Sequence, residues 1–167
     1  MLVGKPAPDF RMVSTKDLNT LEHEVALGDY AGRWLVLFFY PADFTFVCPT
    51  EVLAFSEAVP AFAERNARLL GVSTDGIHSH VAWQEFHLGH LDFPLASDRN
   101  QQVSRAYGVL DDAGQSARAV FIVDPEGVVR HEVIHDDRVG RSVDELLRVL
   151  TALRAPGRTP AHYTRSA

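Results

Sequence analysis

A single cysteine, Cys48, is present among 167 residues. Alone it cannot close an internal disulfide or complete a zinc cage, and a dithiol–disulfide exchange centre of the Cys-x-x-Cys kind is excluded. Lysine is nearly as scarce: Lys5 and Lys16 are its only occurrences, so arginine carries almost all the positive charge. No Lys/Arg run forms a patch, and the formal net charge of −6 argues against a nucleic-acid partner. Nowhere do the roughly 20 consecutive apolar residues of a membrane helix occur. The segment Met1–Phe10 lacks a hydrophobic core of signal-peptide length. The expectation is therefore a cytoplasmic chain in a reducing compartment, away from membranes. Internal repeats and low-complexity tracts are missing as well. What is present is apolar content of 46%, enough to bury one full core in a single domain.

Free cysteine is among the most buried residue types, and on that ground alone Cys48 is an inert filler. Its neighbours reverse the reading. The apolar, aromatic run from Trp34 to Tyr40 predicts a central strand buried on both faces. Pro41 ends it, because proline cannot donate to a sheet ladder. Pro49 and Thr50 open a helix, with proline where the first turn tolerates it. Cys48 is thereby placed at a helix N-terminus beyond a strand's carboxyl end. Unpaired N–H groups and the positive end of the helix dipole converge there. Such surroundings, with a nearby cation, bring a thiol from a pKa of ~8.5 to about 3.5–7.5, so the expected sulfur is a nucleophilic thiolate.

Along the chain, residues 1–33 are turn-rich, with a short hairpin expected about Phe10 to Val13 and a turn at Ala31-Gly32. A helix is predicted over 50–65, with Val52, Phe55, Val59 and Phe62 on one face and a kink or early end at Pro60. A buried strand follows from Leu69 to Thr74, then a helix from His78 to Leu88 and a short strand from Phe93 to Ala96. Asn100 to Tyr107 reads as helical, stopped by Gly108. Strands at Ala119–Val123 and Val128–Ile134 flank the turn Asp124-Pro125-Glu126-Gly127. Ser142, three residues before Glu145, caps a last helix reaching Leu153. The alternating early half and late hairpin describe an α/β sandwich of thioredoxin type, a central mixed sheet flanked by helices. The expected division is one domain over 1–154 and a short tail over 155–167.

The run Pro41-Ala42-Asp43-Phe44-Thr45-Phe46-Val47-Cys48 carries Pro-x-x-x-Thr-x-x-Cys, the signature of the peroxiredoxins. Further blocks agree: Gly4 to Phe10, Gly71-Val72-Ser73, Ser79 to Trp83, Ser97-Asp98, Ser104 to Val109, Arg118 to Asp124 and Val139 to Glu145. The chain resembles the typical two-cysteine, alkyl hydroperoxide reductase C type over almost its whole length. The resemblance implies that Cys48 attacks the O–O bond of hydrogen peroxide or a small organic hydroperoxide and becomes a sulfenic acid. It implies that Thr45 hydrogen-bonds peroxide and sulfur, that Pro41 shields the pocket, and that Arg118 stabilises the thiolate and orients the peroxide. Glu51 corresponds to a glutamate that partners the arginines, and Arg141 falls in a matching block. The chemistry requires no cofactor, since the weak bond lies in the substrate; a hydroxyl and a guanidinium help most at the leaving oxygen. Metal binding through His78, His80 and His87 is not expected, for no H-E-x-x-H or Cys/His spacing supports it.

One departure matters. Typical members carry a resolving cysteine in a C-terminal Cys-Pro-Ala segment, and here Thr159-Pro160-Ala161-His162-Tyr163 stands in its place. The expected cycle is therefore a one-cysteine cycle, closed by an external thiol or a thioredoxin- or glutaredoxin-like protein. The resemblance also implies a homodimer, with a decamer of five such dimers as the larger alternative. A redox sensor, or a chaperone or structural oligomer that keeps the fold, is the competing reading.

Overall fold

The computed structural model describes residues 1–161 and 163–164. Of the 155–167 tail, His162 and residues 165–167 therefore lie outside the described residues. The N-terminal segment contributes β1 (Arg11–Val13) and β2 (Glu24–Ala26), paired antiparallel. The hairpin expected about 10–13 thus has its second arm eleven residues downstream of the end of the first, and a 3₁₀ turn over Leu27–Tyr30 follows it.

The strand β3 (Trp34–Phe39) lies at the centre of the main sheet. It is followed by α1 (Cys48–Glu57), α2 (Val59–Glu64) and β4 (Ala67–Ser73). Next come α3 (Ile77–Trp83), β5 (Leu95–Ser97), α4 (Gln102–Ala106), β6 (Arg118–Val123), β7 (Val129–His135) and α5 (Val143–Arg154). The sheet order is β5-β4-β3-β6-β7, with β4 parallel to β3 and β5, and β6 antiparallel to β3 and β7. This is the thioredoxin-like mixed sheet read from the sequence.

The two faces of β3 follow its period of two. Val36, Phe38 and Tyr40 join Cys48, Val52, Phe55, Phe62, Trp83 and Leu150 in one core layer. Leu35, Leu37 and Phe39 join Phe10, Met12, Val25, Val103 and Tyr107 in the other. Gly71 on β4 is required by a close approach: a Cβ there would meet the Phe38 ring and Leu95 at 2.7 Å. The space it leaves lets Phe38 stack on Phe55, with centroids 4.3 Å apart.

Several expected elements shift for local reasons. The predicted helix 50–65 begins earlier, at Cys48, and divides at Ala58. Pro60 sits in the first turn of α2, where its missing N–H costs nothing. The predicted helix 78–88 is α3 plus a final wide π turn, Gln84–Leu88, stopped by Gly89 at φ +75°. The strand expected at 93–96 is seated at 95–97, paired with Gly71–Ser73. The α4 helix starts later than Asn100 because the Asp98 carboxylate accepts the N–H groups of Val103 and Ser104 at 3.1 and 2.7 Å. Ser142 caps α5 as its spacing with Glu145 predicts, its hydroxyl accepting the Glu145 N–H. No helix among the described residues is long and apolar enough to cross a membrane.

Candidate active site

The β3 strand stops before Pro41, and the loop to Val47 returns the chain to the sheet as α1. Val47 is already helical at φ −85° and ψ −39°, and its carbonyl accepts the Thr50 hydroxyl at 2.7 Å and the Thr50 amide at 3.1 Å. Cys48 is consequently the first helical residue and points into the core, fully buried beside Val52 and Phe55.

One charged side chain, Arg118, meets the sulfur, and Glu51 and Arg141 stand behind it in the same network. Arg118, the first residue of β6, directs Nη1 at Cys48 Sγ from 3.6 Å and at the Glu51 carboxylate. Its Nε and Nη2 donate to the Asp137 carbonyl at 3.3 and 3.0 Å, which fixes the plane of the guanidinium. Glu51, on the first turn of α1, turns inward and accepts Nε, Nη2 and the backbone N–H of Arg141 at 2.9, 3.0 and 2.6 Å. Arg141 spends Nη1 on the carbonyls of Phe39 and Ala119, both at 2.6 Å. Its guanidinium also lies over the Phe38 and Phe55 rings, 5.6 and 5.9 Å from their centroids.

Burial raises the Glu51 carboxyl, but the hydrogen bonds and charge of Arg141, joined by the charge of Arg118, hold it below the ordinary carboxylate range. Burial likewise opposes the Arg118 charge, and Glu51 together with the Cys48 sulfur outweighs it, lifting the guanidinium above its usual value. The charge count is informative. Two cations and one carboxylate leave a surplus of one positive charge, and a thiolate at Cys48 brings the cluster to neutrality. A buried ionic group needs such pairing to offset its desolvation.

The six residues singled out from the sequence are not equally joined. Cys48, Arg118, Glu51 and Arg141 form one hydrogen-bonded cluster. Thr45 lies exposed on the loop and donates its hydroxyl to the Ala42 carbonyl at 3.0 Å rather than to the sulfur. Pro41 is half-buried at the head of the same loop.

A second buried network was missed. Asp43 accepts from the Tyr40 hydroxyl at 2.9 Å, the Ser79 hydroxyl at 2.7 Å and the His80 ring at 2.8 Å, while its own N–H donates to Asp75 at 2.9 Å. It ties the loop before Cys48 to α3. The available signal was a lone carboxylate, Asp43, between Pro41 and Phe44 in an otherwise apolar run. His80 bonds Asp43 through Nδ1 and the Ala96 carbonyl through Nε2, so neither nitrogen remains for a metal. His78 and His87 are exposed.

Residues 3–132 match the AhpC/TSA family. The chain belongs to that family: it is a peroxiredoxin. Peroxiredoxin tpx1 of Schizosaccharomyces pombe is 51% identical over 158 residues, covering 91% of this chain and 81% of its own. Thioredoxin peroxidase of Fasciola hepatica is 46% identical over 155 residues, covering 88% and 78%. Among solved structures, the reduced 2-Cys peroxiredoxin of Plasmodium vivax superposes with a TM-score of 0.93 at 38% identity, over 98% of this peroxiredoxin and 89% of that chain. Where that relative is a 2-Cys peroxiredoxin, this peroxiredoxin holds one cysteine.

Proposed function

We propose that this peroxiredoxin reduces hydrogen peroxide and small organic hydroperoxides at Cys48 and returns to the thiol by a one-cysteine cycle. The observation that carries the reading is the buried sulfur 3.6 Å from the Arg118 guanidinium, at the first residue of α1. The thiolate attacks the terminal peroxide oxygen, so that an S–O bond forms as O–O breaks. The departing alkoxide or hydroxide takes a proton and leaves as alcohol or water, with Cys48 as sulfenic acid. Arg118 stabilises the sulfur's charge and then the charge on the leaving oxygen. The Thr45 hydroxyl, released from Ala42, hydrogen-bonds the peroxide, and Pro41 screens the loop from water. Glu51 and Arg141 position Arg118.

Cys48 is the chain's one thiol, so neither an internal disulfide nor the usual disulfide to a resolving cysteine in a neighbour's tail can form. An external thiol condenses with it, releasing water and leaving a mixed disulfide. A second thiol cleaves that disulfide, restoring Cys48. The reductant is a small thiol or a thioredoxin- or glutaredoxin-like protein in the cytoplasm, and the working unit is a homodimer or a ring of such dimers. A chaperone or structural role has no need of a buried cation aimed at a sulfur.

Steady-state peroxide consumption tests the cycle. The expected result is turnover with dithiothreitol or a glutathione–glutaredoxin couple, with a mixed disulfide at Cys48 visible by intact mass when thiol is limiting. Sustained turnover without any external thiol would contradict it.

A further inference from the structure

A cavity of about 270 Å³ opens at the end of the sheet opposite Cys48. The paired β3 and β4 run from Trp34 and Ala67 at the cavity end to Phe39 and Val72 beside the cysteine loop. Five strand steps separate the two ends, roughly 16 Å. None of the cysteine cluster lines this cavity.

The cavity has an apolar floor and a charged mouth. Val25, Phe62, Leu69 and Phe93 form the floor, each buried in the core. Lys16, Arg33 and Arg68 stand at the mouth, all exposed. Among the described residues none of the three has a carboxylate partner. Arg68 reaches only its neighbour's backbone, the Ala67 carbonyl at 3.3 Å. Two carboxylates also line the cavity, but both are engaged: Asp29 accepts the Ala26 N–H at 2.9 Å and Asp92 lies 3.1 Å from the His90 ring. Tyr30 forms part of the wall, half-buried, and its hydroxyl has no hydrogen-bond partner among the described residues.

A chain of net charge −6 has only sixteen cationic side chains of lysine and arginine. Three at one mouth, including one of the two lysines, outnumber Asp29 and Asp92 by one charge and leave this end net positive over an apolar pit. The volume is just under the roughly 300–1,000 Å³ of small-molecule sites. A stable protein contact would instead bury about 800 Å² on each partner, far beyond this opening.

We propose that this cavity binds a small amphipathic monoanion: an aliphatic or single-ring body on the apolar floor, with one carboxylate held by Arg33, Arg68 and Lys16. The head group gains charge-assisted hydrogen bonds from the guanidinium groups and can accept the Tyr30 hydroxyl. Burying the body removes apolar surface from water, which a fully hydrated anion such as acetate cannot offer. The site is separate from the peroxide chemistry, and its occupancy does not depend on Cys48.

Saturation-transfer NMR on the full chain, with octanoate as the probe, tests this. The expected result is a saturable octanoate signal that the uncharged octan-1-ol reproduces only about tenfold more weakly. The double substitution Arg33→Glu with Arg68→Glu raises the octanoate Kd by at least about tenfold and leaves the rate of Cys48 oxidation unchanged. Phe46→Ser, which removes an exposed ring elsewhere, leaves octanoate binding as it was. A signal that does not saturate, equal binding of octanol, an unaltered Kd in the double variant, or loss of binding in Phe46→Ser would each overturn the proposal.

Discussion

Each guanidinium nitrogen of Arg118 donates to something fixed: Nη1 to Cys48 and Glu51, Nε and Nη2 to the Asp137 carbonyl. A planar fork held this way is not replaced by a point charge on a flexible stem. Arg118→Ala removes both the charge beside the sulfur and the donor at the leaving oxygen. The second-order rate of Cys48 oxidation by hydrogen peroxide is expected to fall by about 10²–10³-fold. Stopped-flow measurement checks this, and a loss below about tenfold would remove Arg118 from the chemistry. At this scale the sequence was most legible where chemistry demands one residue type at one place. Cys48 was read from its own surroundings and Arg118, Glu51 and Arg141 through the family resemblance, and the structure brings them together across as many as 93 positions of chain, from Cys48 to Arg141. The Asp43–His80 pair was not read, because neither residue was singled out for a shared role and only the fold makes them neighbours. The Thr45 hydroxyl bond to Ala42 was equally invisible, since it depends on the loop's path and on Phe44 at φ +56°.

Among elements, Glu51 joins α1 to β6 and to the segment that precedes α5, through Arg118 and Arg141. Its carboxyl is held below the ordinary value near 4.5. A depressed carboxyl contributes stability that is complete above the unfolded pKa and is lost as pH falls through the folded one. Glu51→Gln leaves two buried guanidinium groups without their counter-charge, a loss of about 3–5 kcal/mol at neutral pH. The gap between the two proteins in urea unfolding is expected to narrow as pH falls below 4.5, where the unfolded carboxyl takes up a proton while the native one is still charged, down to the lower native value. A gap of constant size from neutral pH to about pH 3 would contradict the assignment. The strands of the sheet were read within a few residues because apolar runs such as Trp34–Phe39 and Ala119–Val123 leave few alternatives. Helix limits were less legible. The break at Ala58 falls two residues before Pro60, where a kink or early end was read, but the π turn after Trp83 was not read, and Asp98 caps α4 from outside the segment that looked helical.

For the molecule as a whole, the sulfur is fully buried while the loop before it is not: Phe44 is 50% and Phe46 92% exposed. A peroxide is small enough to approach through local motion of that loop. In the proposed cycle a thiol reductant needs the first turn of α1 to open, against the bonds that Cys48 and Glu51 make there with Arg118 and Arg141. Phe86, also exposed, lies in the π turn that follows α3, where Phe44 packs 6.3 Å from Trp83. These exposed rings are consistent with the homodimer proposed above. Sedimentation velocity at micromolar concentration is expected to show a dimer or larger species, and a monomer alone would contradict the assembly.

The most direct test of the account follows tryptophan fluorescence while reduced protein meets hydrogen peroxide in a stopped-flow instrument, with Cys48→Ser as the control. Trp83, the last residue of α3, has its ring 5.6 Å from that of Tyr40 and 6.3 Å from that of Phe44 in the cysteine loop, and is placed to report the change. The account predicts a fast phase proportional to peroxide, absent in the variant, with one added oxygen at Cys48 by mass spectrometry. A thiol that stays unmodified, with no cysteine-dependent phase, would contradict it.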